Sequence, residues 1–233
     1  MARAGTKGVP RADREAQILD VAAREFGLRG FAATSIGGVA ESAGISKPLI
    51  YSYFGSKDGL FLACLEHAGS LLAEEIERVA RFDAVGIERG LNTLAAMFEL
   101  LEDRRHLWRL TIDPTAPQSG PIAEATAGYV DRIHKLAHEG VTEMLALGGV
   151  TDDLDVDAMT DVWLGIVDSL MAWWVEHPEQ TADDMLQRTI RLITALFGDA
   201  SGAHQHSDAS GAHQHGDASG AHQHSDASGA GRS

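Results

Sequence analysis

Residues 34–57 read TSIGGVAESAGISKPLIYSYFGSK, and the fold turns on how these positions are read. Thr34 and Ser35 each offer a hydroxyl that can accept from an orphan backbone N–H at a helix start. Ile36, Val39, Ala40 and Ala43 then recur at three- and four-residue intervals, which predicts a short helix running through Ser42. Gly44 breaks it. Ser46 opens a second short helix, Lys47 to Phe54, and Ser56 opens a long one running to about Ala80. Two short helices separated by a glycine have the form of a helix-turn-helix, whose second helix lies in a DNA major groove while the first crosses the backbone.

A helical wheel tests that form. With Ile50 set inward and about 100° per residue, Ser46 and Phe54 fall near the inward direction and Pro48 and Ser52 point away. Lys47 and Tyr51 flank one outward edge, Leu49 and Tyr53 the other. Such a face can donate to phosphate oxygens from a cation, two phenols and a hydroxyl, while Pro48 and Leu49 can touch thymine methyls. An ordinary three-helix bundle with a partly exposed Tyr pair accounts for the same wheel.

The segment resembles the head of the TetR family of regulators in order and spacing: Thr34-Ser35-Ile36, Val39-Ala40, Ala43-Gly44-Ile45-Ser46, Tyr51-Ser52-Tyr53-Phe54 and Ser56-Lys57. The resemblance covers about 50 residues; residues 83–197 resemble the family in helix count and length. It implies an all-α fold: an N-terminal three-helix DNA-binding domain, then a larger helical ligand-binding and dimerisation domain. By position it assigns Thr34, Ser35, Tyr51, Tyr53 and Lys57 to phosphates, and it sets Ser46, Lys47, Pro48 and Ser52 near the bases. Gly37 and Gly38 depart from the family, which often has a polar or basic residue there. Base readout through hydrogen bonds is therefore expected to be sparse and shape readout larger.

Outward from the head, Ile18, Leu19, Ala22, Ala23 and Phe26 predict a preceding helix, with Gly27 and Gly30 as its stop. Residues 1–12 read as a flexible basic arm whose Arg3 and Lys7, with Arg11 and Arg14, could reach phosphates. Downstream, amphipathic segments fall at about 84–103, 104–111, 121–147, 155–176 and 181–197, parted by the Pro and Gly breaks at 113–117, 148–149 and 177–178. From Ser201 a nine-residue repeat containing His204, His206, His213, His215, His222 and His224 lacks any large apolar residue and reads as disordered. The expected domains are thus 1–12, 13–57, 58–198 and a tail of 199–233.

Net charge is −15, yet residues 1–60 hold eight Lys/Arg against six Asp/Glu, leaving −17 on residues 61–233. A near-neutral head on an acidic body would confine phosphate binding to one end, although acidity is as common among enzymes. The lone Cys64 excludes an intrachain disulfide and fits a reducing compartment. No leader-like or 18-residue apolar run is present, so a soluble, cytoplasmic protein without a membrane partner is expected.

Residues 155–176 are apolar around most of the helix, with Ala158, Gly165 and Ala172 spaced by seven. Leu186, Ile190, Ile193 and Phe197 share one side of the next helix. Two partners are needed for so broad a face. The pair resembles the family's last two helices, which join across a two-fold axis, and a homodimer would present two heads to a pseudo-palindromic double-stranded operator. Met97, Phe98, Leu101, Trp108, Tyr129, Ile133 and Trp163, interrupted by Asp113, His134 and Asp168, describe either an apolar small-molecule pocket or a plain core. The family resemblance favours a pocket whose ligand releases DNA from a repressor.

No catalytic residue, cofactor or metal site is expected. The His134/His138 pair and the tail histidines make metal buffering the rival function, and an acid/base pair such as Asp168 with His134 the enzymatic one. Phosphate loops, nucleophile elbows and HExxH pairs are lacking in the sequence.

Overall fold

The computed structural model describes residues 10–81 and 84–198, leaving the side chains of Leu196 and Phe197 aside. Among the described residues every regular element is an α-helix: α1 (Arg11–Ala33), α2 (Ile36–Ser42), α3 (Lys47–Phe54), α4 (Lys57–Ala80), α5 (Gly86–Leu101), α6 (His106–Thr111), α7 (Pro121–Leu147), α8 (Asp153–Val175) and α9 (Ala182–Phe197). The chain divides into two units, residues 1–191 and 192–233. In the second, the described residues complete α9, whose end is marked by the Gly198 N–H donating to the Thr194 carbonyl.

Local chemistry starts the helices where the hydroxyls stand. Ser35 Oγ accepts from the Gly38 N–H (3.1 Å) and Ser56 Oγ from the Gly59 N–H (2.9 Å), two N-caps each of which satisfies an orphan donor. Asp152 does the same for α8, accepting from Leu154 N–H at 2.9 Å. Ser46 stands at the N-cap of α3 without a side-chain cap bond, and Pro48 within the first turn presets the helical φ.

α1 departs from expectation at its end. Gly27 does not stop it; a Cβ there would lie 2.1 Å from the His106 carbonyl oxygen, so the missing side chain is what lets α6 lie against α1. Gly30 is the true interruption, with φ 78° and ψ 163° inside the helical run. Glycine takes that conformation without steric cost. The turn is held from the body: Asp113 accepts from the Phe31 N–H (2.5 Å), and Thr115 Oγ1 accepts from the Ala32 N–H (3.1 Å).

One core joins head and body. Ile18, Ala22 and Phe26 of α1, Ile50 of α3 and Leu60, Phe61 and Cys64 of α4 are buried together, and Phe26, Phe31 and Phe61 meet in edge and stacked contacts of 5.0–6.2 Å. The Cys64 thiol is buried against the Leu19 carbonyl, and burial raises its pKa. α4 then serves as a strut from the head into a bundle with α5, α7 and α8. The α8–α9 corner is clamped by Arg105, whose guanidinium donates to the carbonyls of Trp174, His177 and Gln180 and lies 4.0 Å from the Trp174 ring.

Candidate functional site

The outward face of α3 is built by its own periodicity. Ile50 is fully buried, while Lys47, Pro48, Tyr51 and Ser52 are exposed, Tyr51 at 48%. Leu49 and Tyr53 are half-buried at the edge. Ser46, placed inward on the wheel, is exposed, because as N-cap its extended backbone leaves the helical track. Ser52 Oγ donates to the Leu49 carbonyl, which leaves its lone pairs outward.

The other head residues are more constrained. Ser35 is exposed but already caps α2. Thr34 is only 3% exposed, and its hydroxyl donates to the Glu25 and Gly30 carbonyls, so it serves the α1–α2 joint instead of facing outward. Lys57 is half-buried, with Nζ 4.3 Å from the Phe31 ring centre and 3.5 Å from the Ala32 carbonyl. Arg11 belongs to α1 and its guanidinium stands 4.8 Å from the Tyr53 ring, which adds a cation beside α3. Arg14 is buried and bonded to Gln17, away from any phosphate; Arg3 and Lys7 lie outside the described residues.

One of the two glycines of α2, Gly37, meets a neighbour that sequence reasoning missed. A Cβ on Gly37 would stand 2.7 Å from Cε of Lys47. The lysine stem of α3 lies across α2 at that point. The signal was present in the pairing of a helix-interior glycine with the single cation of α3, but only the packing of the two helices relates them.

The body encloses a cavity of about 400 Å³ between α4, α5, α6, α7 and α8. Of the residues offered by the sequence for a pocket or a core, Met97, Trp108, Tyr129, Ile133, Trp163 and Asp168 line it. Phe98 and Leu101 do not. On α5 the cavity stripe is Gly86, Gly90, Thr93 and Met97; Leu94, Phe98 and Leu101 form the neighbouring stripe, turned about 100° into the core. Phe98 there meets Trp174 edge-on at 5.1 Å. Asp113 is bonded at the α1 turn and to Thr115, and His134 faces Asp161 at 3.7 Å, so neither belongs to the wall. Sequence reasoning also missed the glycines behind the aromatic walls: a Cβ on Gly69 would meet the Tyr129 ring at 2.7 Å, and one on Gly90 the Trp163 ring at 2.9 Å.

On α8, Ala158, Gly165 and Ala172 are exposed, in one stripe with Leu154 (78% exposed) and Val162 (52%), two residues the sequence reading had not singled out. Leu186 and Ile190 are half-buried, Ile193 is buried, and the Phe197 side chain lies outside the described residues. Among the described residues no three His, Cys, Asp or Glu side chains gather as a metal site, and the tail histidines fall outside that description. Among the same residues no helix is long and apolar enough to cross a membrane.

A short helix presenting a lysine, two phenols and a hydroxyl at the tip of a helix-turn-helix defines a DNA-binding head on a helical, cavity-bearing body. Residues 18–64 match the family model of bacterial regulatory proteins, tetR family. The HTH-type transcriptional activator FasR of Mycolicibacterium smegmatis is 29% identical over 159 residues, 63% of this chain and 72% of that protein. A TetR-like transcriptional regulator from Rhodococcus sp. RHA1 superposes with a TM-score of 0.60 at 27% identity, over 83% of this chain and 99% of that one. FadR from Bacillus subtilis, solved in complex with stearoyl-CoA, shares the fold with a TM-score of 0.60 at 19% identity, over 74% and 95% of the two chains. The head of the chain, residues 18–64, is that of the TetR family, and the protein is a DNA-binding transcriptional regulator, as are the relatives it resembles.

Proposed function

We propose that the protein is a homodimeric repressor that sets α3 of each copy in the major groove of a pseudo-palindromic operator and is released when a mainly apolar small molecule fills the body cavity. The observation that carries this reading is the exposed Lys47, Pro48, Tyr51 and Ser52 surface over a buried Ile50. Lys47 and Tyr51 contact phosphates, with Arg11 and Tyr53 beside them, and Pro48, Leu49 and Ser52 face base edges. Ser35, Ser46 and Lys57 border that surface. Domain limits follow the same logic: α1 to α3 form the head, and α4 to α9 the body.

The second copy docks on the open α8 stripe of Ala158, Val162, Gly165 and Ala172, whose small side chains allow close helix approach, with Leu186 and Ile190 of α9 alongside. The ligand acts through differential affinity: it binds the head spacing that does not fit the operator better than the one that does. The ligand-bound state of the Bacillus subtilis neighbour supports a cavity that holds an effector.

The test is selection of bound sequences from a random duplex pool, followed by nuclease protection on the selected sites. A protected stretch with two near-symmetric half-sites about one helical turn apart is expected. Lys47→Ala and Tyr51→Ala should each weaken binding about tenfold at moderate salt. Selection that returns no common sequence, or activation instead of silencing in run-off transcription from the selected site, would refute the repressor reading.

A further inference from the structure

The polar side chains of the cavity wall differ in what they have left to offer a ligand. Arg89 is engaged by Glu143 at 2.6 Å and by the Ala84 carbonyl at 2.7 Å. The Tyr129 hydroxyl donates to the Glu66 carbonyl, and the hydroxyls of Thr93, Thr111 and Thr126 donate to carbonyls of their own helices. Glu139, Glu143 and Asp168 are exposed. Trp108 differs from all of these. Its side chain lines the cavity at only 7% exposure, and its indole Nε1 is buried with no acceptor in reach among the described residues. The other buried side-chain polar atoms in that condition belong to Arg105, Arg188 and Thr189, none of which lines the cavity. An N–H sealed from water and lacking an acceptor destabilises the wall, and an oxygen carried in by a bound molecule removes that cost. Because an indole donates and does not accept, the complementary ligand atom is an oxygen lone pair.

Two further features define the rest of the ligand. Leu65, Leu72, Met97 and Val141 are buried where they line the cavity, so most of the ligand's surface meets hydrocarbon. Among the described residues the wall's cation is Arg89, which Glu143 already holds. An anionic acceptor would thus leave water for one neutral donor, and an unpaired charge in a partly dehydrated cavity is costly. From these observations we infer that the cavity takes a neutral, mainly hydrocarbon carbonyl compound, a ketone or an ester, whose oxygen accepts from the Trp108 indole N–H. The nitrogen lies just behind the cavity surface, and a small turn of the ring brings its hydrogen to the ligand. Trp108 belongs to α6, the helix whose His106 carbonyl packs on Gly27 of α1, so the bond forms on an element that touches the reading head.

The inference rests on the cavity being the effector site. Butyrophenone and butylbenzene, which differ only by a carbonyl in place of a methylene, are titrated by calorimetry into the full chain and into Trp108→Phe, which keeps an aromatic ring and removes the donor. The ratio of ketone to hydrocarbon affinity should fall about tenfold in the variant. Butylbenzene itself should change by less than about threefold, which certifies a folded cavity. In the unaltered protein with isotope-labelled indole nitrogens, the Trp108 N–H resonance, identified by its loss in Trp108→Phe, should move further downfield with butyrophenone than with butylbenzene. A ratio that the variant leaves within about twofold, or an indole resonance that shifts equally with both molecules, would overturn the carbonyl selection and leave the effector cavity standing. Binding of neither molecule to the unaltered protein would bring down the effector cavity and this inference with it.

Discussion

Gly37 governs where the single cation of α3 can lie. An alanine there would place Cβ on the Lys47 stem, and the stem, being flexible, would swing away without disturbing the backbone. Alanine is the better helix former by up to about 1 kcal/mol. Gly37→Ala is therefore expected to raise thermal stability slightly while weakening operator affinity by about three- to tenfold, read by melting curves and fluorescence anisotropy. Stability gained with affinity unchanged would show that the resting place of Lys47 does not matter for DNA. The same residue marks what sequence could not supply. Ile50 inward and Pro48, Ser52 outward follow from period alone, because a short helix has one buried direction. Thr34 could not be read that way: a hydroxyl ahead of a helix looks like an N-cap or a phosphate ligand, and only the turn at Gly30 brings the Glu25 and Gly30 carbonyls to it.

The helices themselves were legible because serine caps, glycine and proline breaks and apolar spacing agree with one another. Their contacts were not. Gly27 reads as a stop in isolation and proves to be a seat for the His106 carbonyl, a tertiary cause that leaves no local trace. Met97 and Phe98 are equally apolar, yet one faces the cavity and the other the core, since a single residue turns the helix face by about 100°. The α8–α9 corner offers a sharper test of such contacts. Arg105 satisfies three carbonyls there, and the Trp174 N–H reaches the Gln180 carbonyl as well. Arg105→Ala should cost about 3 kcal/mol in urea unfolding, and Arg105→Lys should recover little, lacking the planar fork. A loss under about 1 kcal/mol would mean that the corner holds without it. On the open face of α8, Val162→Asp would set a carboxylate into the proposed seam. Sedimentation should then find monomers, with dimer dissociation raised about 100-fold; an undiminished dimer would place the interface elsewhere.

At the scale of the whole molecule, charge and acidity act through the joint between head and body. His106 is buried where α6 lies on α1, and burial lowers its pKa from the usual 6.5, with Arg24 adding to the fall and Asp20 opposing it. Above pH 6.5 both folded and unfolded chains carry it neutral. As pH falls below that value the unfolded chain takes up the proton first, so stability is lost on the way down to the folded pKa. Unfolding measured from pH 7.5 to 5 should show this decline, and His106→Gln should flatten it; an unaltered slope would assign the decline to other groups. The joint has a further consequence for anyone building hybrid regulators. Because the amides after Gly30 are held by Asp113 and Thr115, a foreign reading head grafted at residue 57 would arrive without its docking loop. Under the proposed ligand release, a chimera that carries residues 106–115 along with the transplanted helices would keep its signal, and one cut at the linear boundary would bind its promoter yet stay deaf to the inducer.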